Sequence, residues 1–145
     1  MTQASEGRRS RRAARKAAPE RGEHELALAG VTYRLRPSHE AIRAAERETE
    51  RSLLELLRLA NSGGMTLDEI GTVAAEFIRA GADETDVAAQ NVDPERISEL
   101  IYEEGLHTAM ARITLCLVDA ASGGRKASGE AKAAPASPKG TAGAA

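Results

Sequence analysis

Leu26 and Leu28, and then Val31, Tyr33 and Leu35, alternate with polar or small neighbours on either side of Ala29-Gly30. That period of two predicts a β-hairpin. With Ala29 and Gly30 as the loop, Leu28 opposes Val31 and Leu26 opposes Tyr33, so the large apolar side chains share one face. Ala-Gly is a weaker turn than Asn-Gly, although Gly30 can take a left-handed conformation. A two-stranded ribbon is marginal in water, so this face must rest on other elements.

The period then lengthens. Pro37-Ser38 ends the strand and offers Ser38 as the N-cap of a charged, alanine-rich helix from His39 to Glu48, in which Ile42 is the only large apolar residue. Arg51 to Ala60 is the densest apolar run in the chain, and its leucines at 53, 54, 56, 57 and 59 cover more than one helix face before Asn61-Ser-Gly-Gly64 ends it. Thr66-Leu-Asp-Glu69 has the spacing of a capping box. The helix behind it carries Leu67, Ile70, Val73, Ala74, Phe77 and Ile78 and stops at Gly81. Residues 82–92 read as a polar connection of open structure. Asp93-Pro94 begins another helix, with Ile97, Leu100 and Ile101 on one face. Gly105 interrupts it, and a last stripe follows at Leu106, Ala109, Met110, Ile113, Leu117 and Val118. The predicted fold class is α+β, mainly α: an N-terminal two-stranded β-hairpin followed by four or five short helices.

Composition marks the limits of that fold. The chain has 145 residues and is 41% hydrophobic, but 29 residues are alanine and only 25 are Leu, Ile, Val or Phe. All 25 lie between Leu26 and Val118. The expected organisation is therefore a basic disordered tail at 1–22, one domain at 23–120, and an Ala/Gly/Pro/Lys-rich disordered tail at 121–145. Charge divides at the same boundaries: +5 in residues 1–22, −10 in 23–120 and +3 in 121–145. With about twenty large apolar side chains to bury, the core is small, and a partner that covers leftover apolar surface would stabilise it.

Candidate chemistry is sparse. His24, His39 and His107 are isolated from one another and from Cys116, and no close ligand pair indicates a metal site. Cys116 sits in an apolar run with no basic neighbour, which predicts a small buried side chain rather than a nucleophile. The pairs Glu103-Glu104 and Asp68-Glu69 read as solvated surface, with Glu69 also in a capping role. Gly63-Gly64 and Gly123-Gly124 lack the lysine and spacing of a phosphate loop. Three aromatic residues in total provide no stacking platform for single-stranded nucleic acid. No apolar stretch approaches the ~18 residues of a membrane span. These features predict a non-enzymatic, soluble, intracellular protein without cofactor or metal, acting by binding. The leucine excess directs the partner contacts to Leu53, Leu54, Leu56, Leu57 and Phe77. An alternative is a nucleic-acid-associated accessory protein touching phosphates through Arg8, Arg9, Arg11, Arg12, Arg15 and Lys16, a reading that the acidic domain disfavours.

The strings Gly30-Val-Thr-Tyr-Arg-Leu-Arg-Pro-Ser38, Glu46-x-x-Thr49-x-Arg51-Ser-Leu-Leu-Glu-Leu-Leu57, Thr66-Leu-Asp-Glu-Ile70 and Ile101-Tyr-Glu-Glu-Gly-Leu106, in that order, carry a family likeness. They resemble the small tail-assembly proteins of gene transfer agents and of related long-tailed phages and prophages, over about residues 23–119. Those proteins usually carry a glycine near position 50, where this chain has Glu50. The resemblance implies a tail assembly chaperone in the cytoplasm of a bacterial host. Such a protein binds the apolar helical tape measure protein, assists assembly of the tail tube, and is absent from the finished particle. The tail tube protein and a second copy of the chain are further partners it leaves open, and a minor structural subunit of the tail is a nearby variant.

Overall fold

The computed structural model describes residues 24–123, 126–130 and 132. Residues 1–22 and most of the expected C-terminal tail lie outside them. Two strands, β1 (His24–Leu28) and β2 (Val31–Leu35), are followed by helices α1 (His39–Thr49), α2 (Leu53–Ser62), α3 (Leu67–Gly81), a single turn α4 (Val87–Gln90), α5 (Pro94–Glu104) and α6 (Leu106–Ala121). The protein is α+β and mainly α.

The hairpin has the expected register, with Leu26 opposite Tyr33 and Leu28 opposite Val31. Leu26, Leu28 and Leu35 are buried, whereas Val31, at the tip of the same face, is half exposed. Both loop residues are left-handed, Ala29 at φ 50° and Gly30 at φ 78°. A two-residue loop with both φ positive matches the right-handed twist of the strands, at a steric cost to the Ala29 Cβ. A distant residue offsets that cost: the Ala29 amide donates to Glu104 Oε1 over 2.8 Å. Glu104 therefore anchors the turn instead of being only solvated surface.

Helix α3 is the centre of the domain. It packs against α5, α1, β2 and α6, and Ile70, Val73, Ala74, Phe77 and Ile78 are all buried on it. Two of its glycines let neighbours approach closely. A Cβ on Gly71 would stand 2.6 Å from Ser98 Cβ, and one on Gly81 would stand 2.3 Å from the Arg34 carbonyl oxygen. Helix α6 completes the core by covering β1 and α2. Cys116 is buried there, with Ala109, Ile113 and Leu117. The polar connection at 82–92 is fastened rather than loose. Asp86 caps α4, and the Arg79 guanidinium donates to the Val92 carbonyl at 2.6 and 3.1 Å.

The chain continues to contribute beyond the expected boundary at residue 120. Helix α6 runs to Ala121, and residues 126–130 fold back onto the start of α1, where the His39 amide donates to the Ala127 carbonyl at 2.7 Å. Gly129 is buried in this contact; a Cβ there would lie 2.9 Å from the Ser38 nitrogen. The expected C-terminal tail thus includes a docked turn, because the first amides of α1 need acceptors that Ser38 alone does not supply.

The capping box at Thr66 is present in full. Thr66 Oγ1 accepts from the Glu69 amide, and Glu69 Oε1 accepts from the Thr66 amide at 2.9 Å. The other Glu69 oxygen accepts from Arg51 Nε, which ties the start of α3 to the segment before α2. Burial alone would raise the Glu69 carboxyl, but Thr66 and the Arg51 guanidinium outweigh it and hold it below its ordinary value of 4.5. The sign follows from linkage. A carboxyl with a depressed folded pKa adds stability that is complete above the unfolded value and fades as pH falls through the folded one. Glu69→Gln keeps the cap but removes the charge. It is expected to cost about 0.5–1 kcal/mol near neutral pH, and in urea titrations the difference from wild type should fade as pH falls through the folded pKa of the Glu69 carboxyl.

Candidate partner-binding surface

The turn between α1 and α2 decides how α2 is presented. Glu50 adopts φ 55° and ψ 34°, a left-handed conformation at the end of α1, at the position where the resembled family has glycine. The break between the helices is therefore present without the glycine. Its far side is capped twice: Ser52 Oγ accepts from the Glu55 amide, and Glu46 Oε2 accepts from the Leu53 amide at 2.9 Å. A non-glycine left-handed residue costs about 1–2 kcal/mol, part of which glycine returns as flexibility in the unfolded chain. Glu50→Gly is accordingly expected to raise stability by about 0.5–1 kcal/mol in chemical denaturation. A loss instead would mean that the Glu50 side chain holds the turn.

Released by this turn, α2 rests chiefly on α6. A helix supported along one side leaves its opposite side open. Leu56 points inward and is fully buried. Leu53 and Leu57 are half-buried at the edge of the contact, and Leu54 is 70% exposed. Residues 53 and 57 are neighbours on a helix surface, as are 54 and 57, so the three form one strip. Charged partners border it. Arg58 grips Glu55 through two bonds of 2.6 and 2.8 Å, and Arg51 lies 4.0 Å from Glu55. The bonds from Arg58 pull the exposed Glu55 carboxyl below its ordinary range and raise the guanidinium in turn. An apolar strip with a satisfied polar border has the arrangement of a contact surface.

Of the residues expected to meet a partner, Leu53, Leu54 and Leu57 share this strip. Leu56 and Phe77 do not. Both are completely buried, Leu56 beneath α2 and Phe77 in α3, and neither can touch a partner without unfolding the domain. Phe77 stands at the same helical phase as Val73 and Ala74, which already marked it as core. Arg8, Arg9, Arg11, Arg12, Arg15 and Lys16 lie outside the described residues.

Further apolar exposure appears where the sequence did not direct attention. Tyr102 is 68% exposed on α5, Val87 64% on α4, and Leu115 45% on α6. Val118, counted with the apolar stripe of α6, is 41% exposed. Leu115 and Val118 are three residues apart and share a face, a spacing that the run of apolar residues around Cys116 conceals. Among the described residues, no cluster of His, Cys, Asp or Glu could hold a metal ion, and no helix is long and apolar enough to cross a membrane.

The chain matches no protein-family model, no curated protein and no solved structure.

Proposed function

We propose that the protein is a non-enzymatic tail assembly chaperone of a gene transfer agent or prophage, which covers the apolar helical tape measure protein and assists tail tube assembly in the host cytoplasm. The observation that carries the proposal is the leucine strip of α2. One leucine is 70% exposed and two flank it half-buried, on a helix docked chiefly against α6. An exposed leucine strip suits an amphipathic helix laid against it, with the partner read through apolar side chains at helical spacing. The excess of carboxylates in residues 23–120 keeps copies apart while the strip is uncovered. The order of motifs shared with the tail-assembly proteins directs the choice of partner to the tape measure protein.

Co-expression tests this reading. The protein is expected to raise the soluble yield of the tape measure protein from its own gene cluster several-fold, and Leu54→Glu to remove that gain. If the wild-type chain leaves the yield unchanged, the chaperone role fails.

A further inference from the structure

A second surface lies on the α3–α5 side of the domain. A groove of about 410 Å³ runs between the start of α3 and the exposed side of α5. Its rim is acidic, with Asp68 on one wall and Glu95, Glu99 and Glu103 on the other. These three glutamates follow one another at four-residue intervals, so they form a single stripe along α5. Like charges at that interval destabilise a helix. Arg96 lies 3.0 Å from Glu99, but Asp68, Glu95 and Glu103 have no ion pair among the described residues. Lining the groove stands Ser98, a polar residue only 7% exposed, whose hydroxyl has no hydrogen-bond partner among the described residues. Leu67 lends an apolar wall, and Tyr102 projects its ring at 68% exposure.

Each of these features matches part of an arginine side chain. Carboxylates accept from the guanidinium, the aromatic ring offers it a face, an apolar wall covers its methylene stem, and a serine hydroxyl accepts a further N–H. The chain itself carries the complement. Arg8, Arg12 and Lys16 recur at the same four-residue interval as Glu95, Glu99 and Glu103, and residues 1–22 hold a charge of +5 against −10 in residues 23–120. Strand β1, where the described chain begins, packs against α5. Lys16 precedes His24 by eight positions, a span that extends to about 26 Å, about twice the ~13 Å radius of gyration of a 100-residue domain.

We infer that the α3–α5 groove is the docking site of the chain's own basic segment, residues 8–16. Bound there, the arginines neutralise the glutamate stripe and are withheld from nucleic acid. The inference is independent of the leucine strip on α2.

Zero-length carbodiimide cross-linking of the dilute full-length protein, read by mass spectrometry, tests it. Lys16 is expected to couple within one chain to Glu95, Glu99 or Glu103 in preference to other carboxylates. The yield should fall roughly tenfold between about 0.05 and 1 M salt as the screening length contracts to about 3 Å. Replacing Arg8, Arg9, Arg11 and Arg12 by alanine should reduce it similarly, with Lys16 retained as the reporter. Coupling of Lys16 spread evenly over carboxylates such as Glu25, Glu40 and Glu76 would overturn the inference. So would coupling found only between copies carrying different isotopes, which would assign the groove to a neighbouring molecule.

Discussion

Phe77→Ala is expected to lower the unfolding free energy by about 3–5 kcal/mol. A domain of this size has only about 5–15 kcal/mol in total, so urea or thermal unfolding should show a large shift or a chain already partly unfolded. Phe77 is completely buried in the core built on α3, and its carbonyl accepts from the Arg36 amide at 3.0 Å, joining the end of β2 to the helix. Removing the ring leaves a cavity on the buried face of α3. Phe77→Leu, which conserves more volume, should cost less than about 1.5 kcal/mol. The comparison separates two roles for this residue. As a partner contact, Phe77 could be truncated at little cost to stability; as core, it cannot.

Gly81→Ala should also destabilise, by about 1–3 kcal/mol, against the direction that helix propensity sets. Within a helix, glycine to alanine ordinarily gains up to about 1 kcal/mol, and Gly81 has no positive φ to protect it. What opposes the gain is contact. The added Cβ would stand 2.3 Å from the Arg34 carbonyl oxygen and 2.8 Å from its carbon, both backbone atoms that cannot rotate away. The strand would have to lift off α3, weakening the Arg36–Phe77 bond next to it. Gly71→Ala is expected to act in the same direction, since its Cβ would meet Ser98 Cβ at 2.6 Å and the Pro94 carbonyl at 2.9 Å. A rise in melting temperature for either variant would contradict the close packing of α3 on its neighbours.

These contacts separate what the sequence could express from what it could not. Hairpin register, the N-caps at Ser38, Thr66 and Asp93, and the left-handed ends at Gly30 and Gly63 follow from residues within a few positions of each other, and all are present. The same locality explains the misplacement of Leu56, whereas the helical phase that Phe77 shares with Val73 and Ala74 already placed it in the core. A run of five leucines announces surplus apolar surface, but the side of α2 that faces inward depends on where α6 lies, more than forty residues later. The bond from the Ala29 amide to Glu104 spans 75 residues and reads in sequence as a solvated acidic pair. The docked turn at 126–130 was hidden by its composition, which resembles that of a tail, because glycine there serves a close approach to Ser38 rather than flexibility. Glu50 is an intermediate case. The glycine of the resembled family pointed to a left-handed position, and the chain adopts it with a residue that resists it.

The proposed function requires the outer leucines of α2 to meet the partner while the inner one stays in the core. Calorimetric titration of the full-length protein with a synthetic amphipathic helix from the tape measure protein tests this most directly when combined with the unfolding of the same variants. Leu54→Glu is expected to weaken binding at least tenfold, about 1.4 kcal/mol, and to leave the unfolding free energy within the ~0.5 kcal/mol expected of a surface change. Leu56→Ala should instead lower stability by about 2–5 kcal/mol. Unchanged affinity in Leu54→Glu, with wild-type binding intact, would overturn the assignment of this strip to the partner.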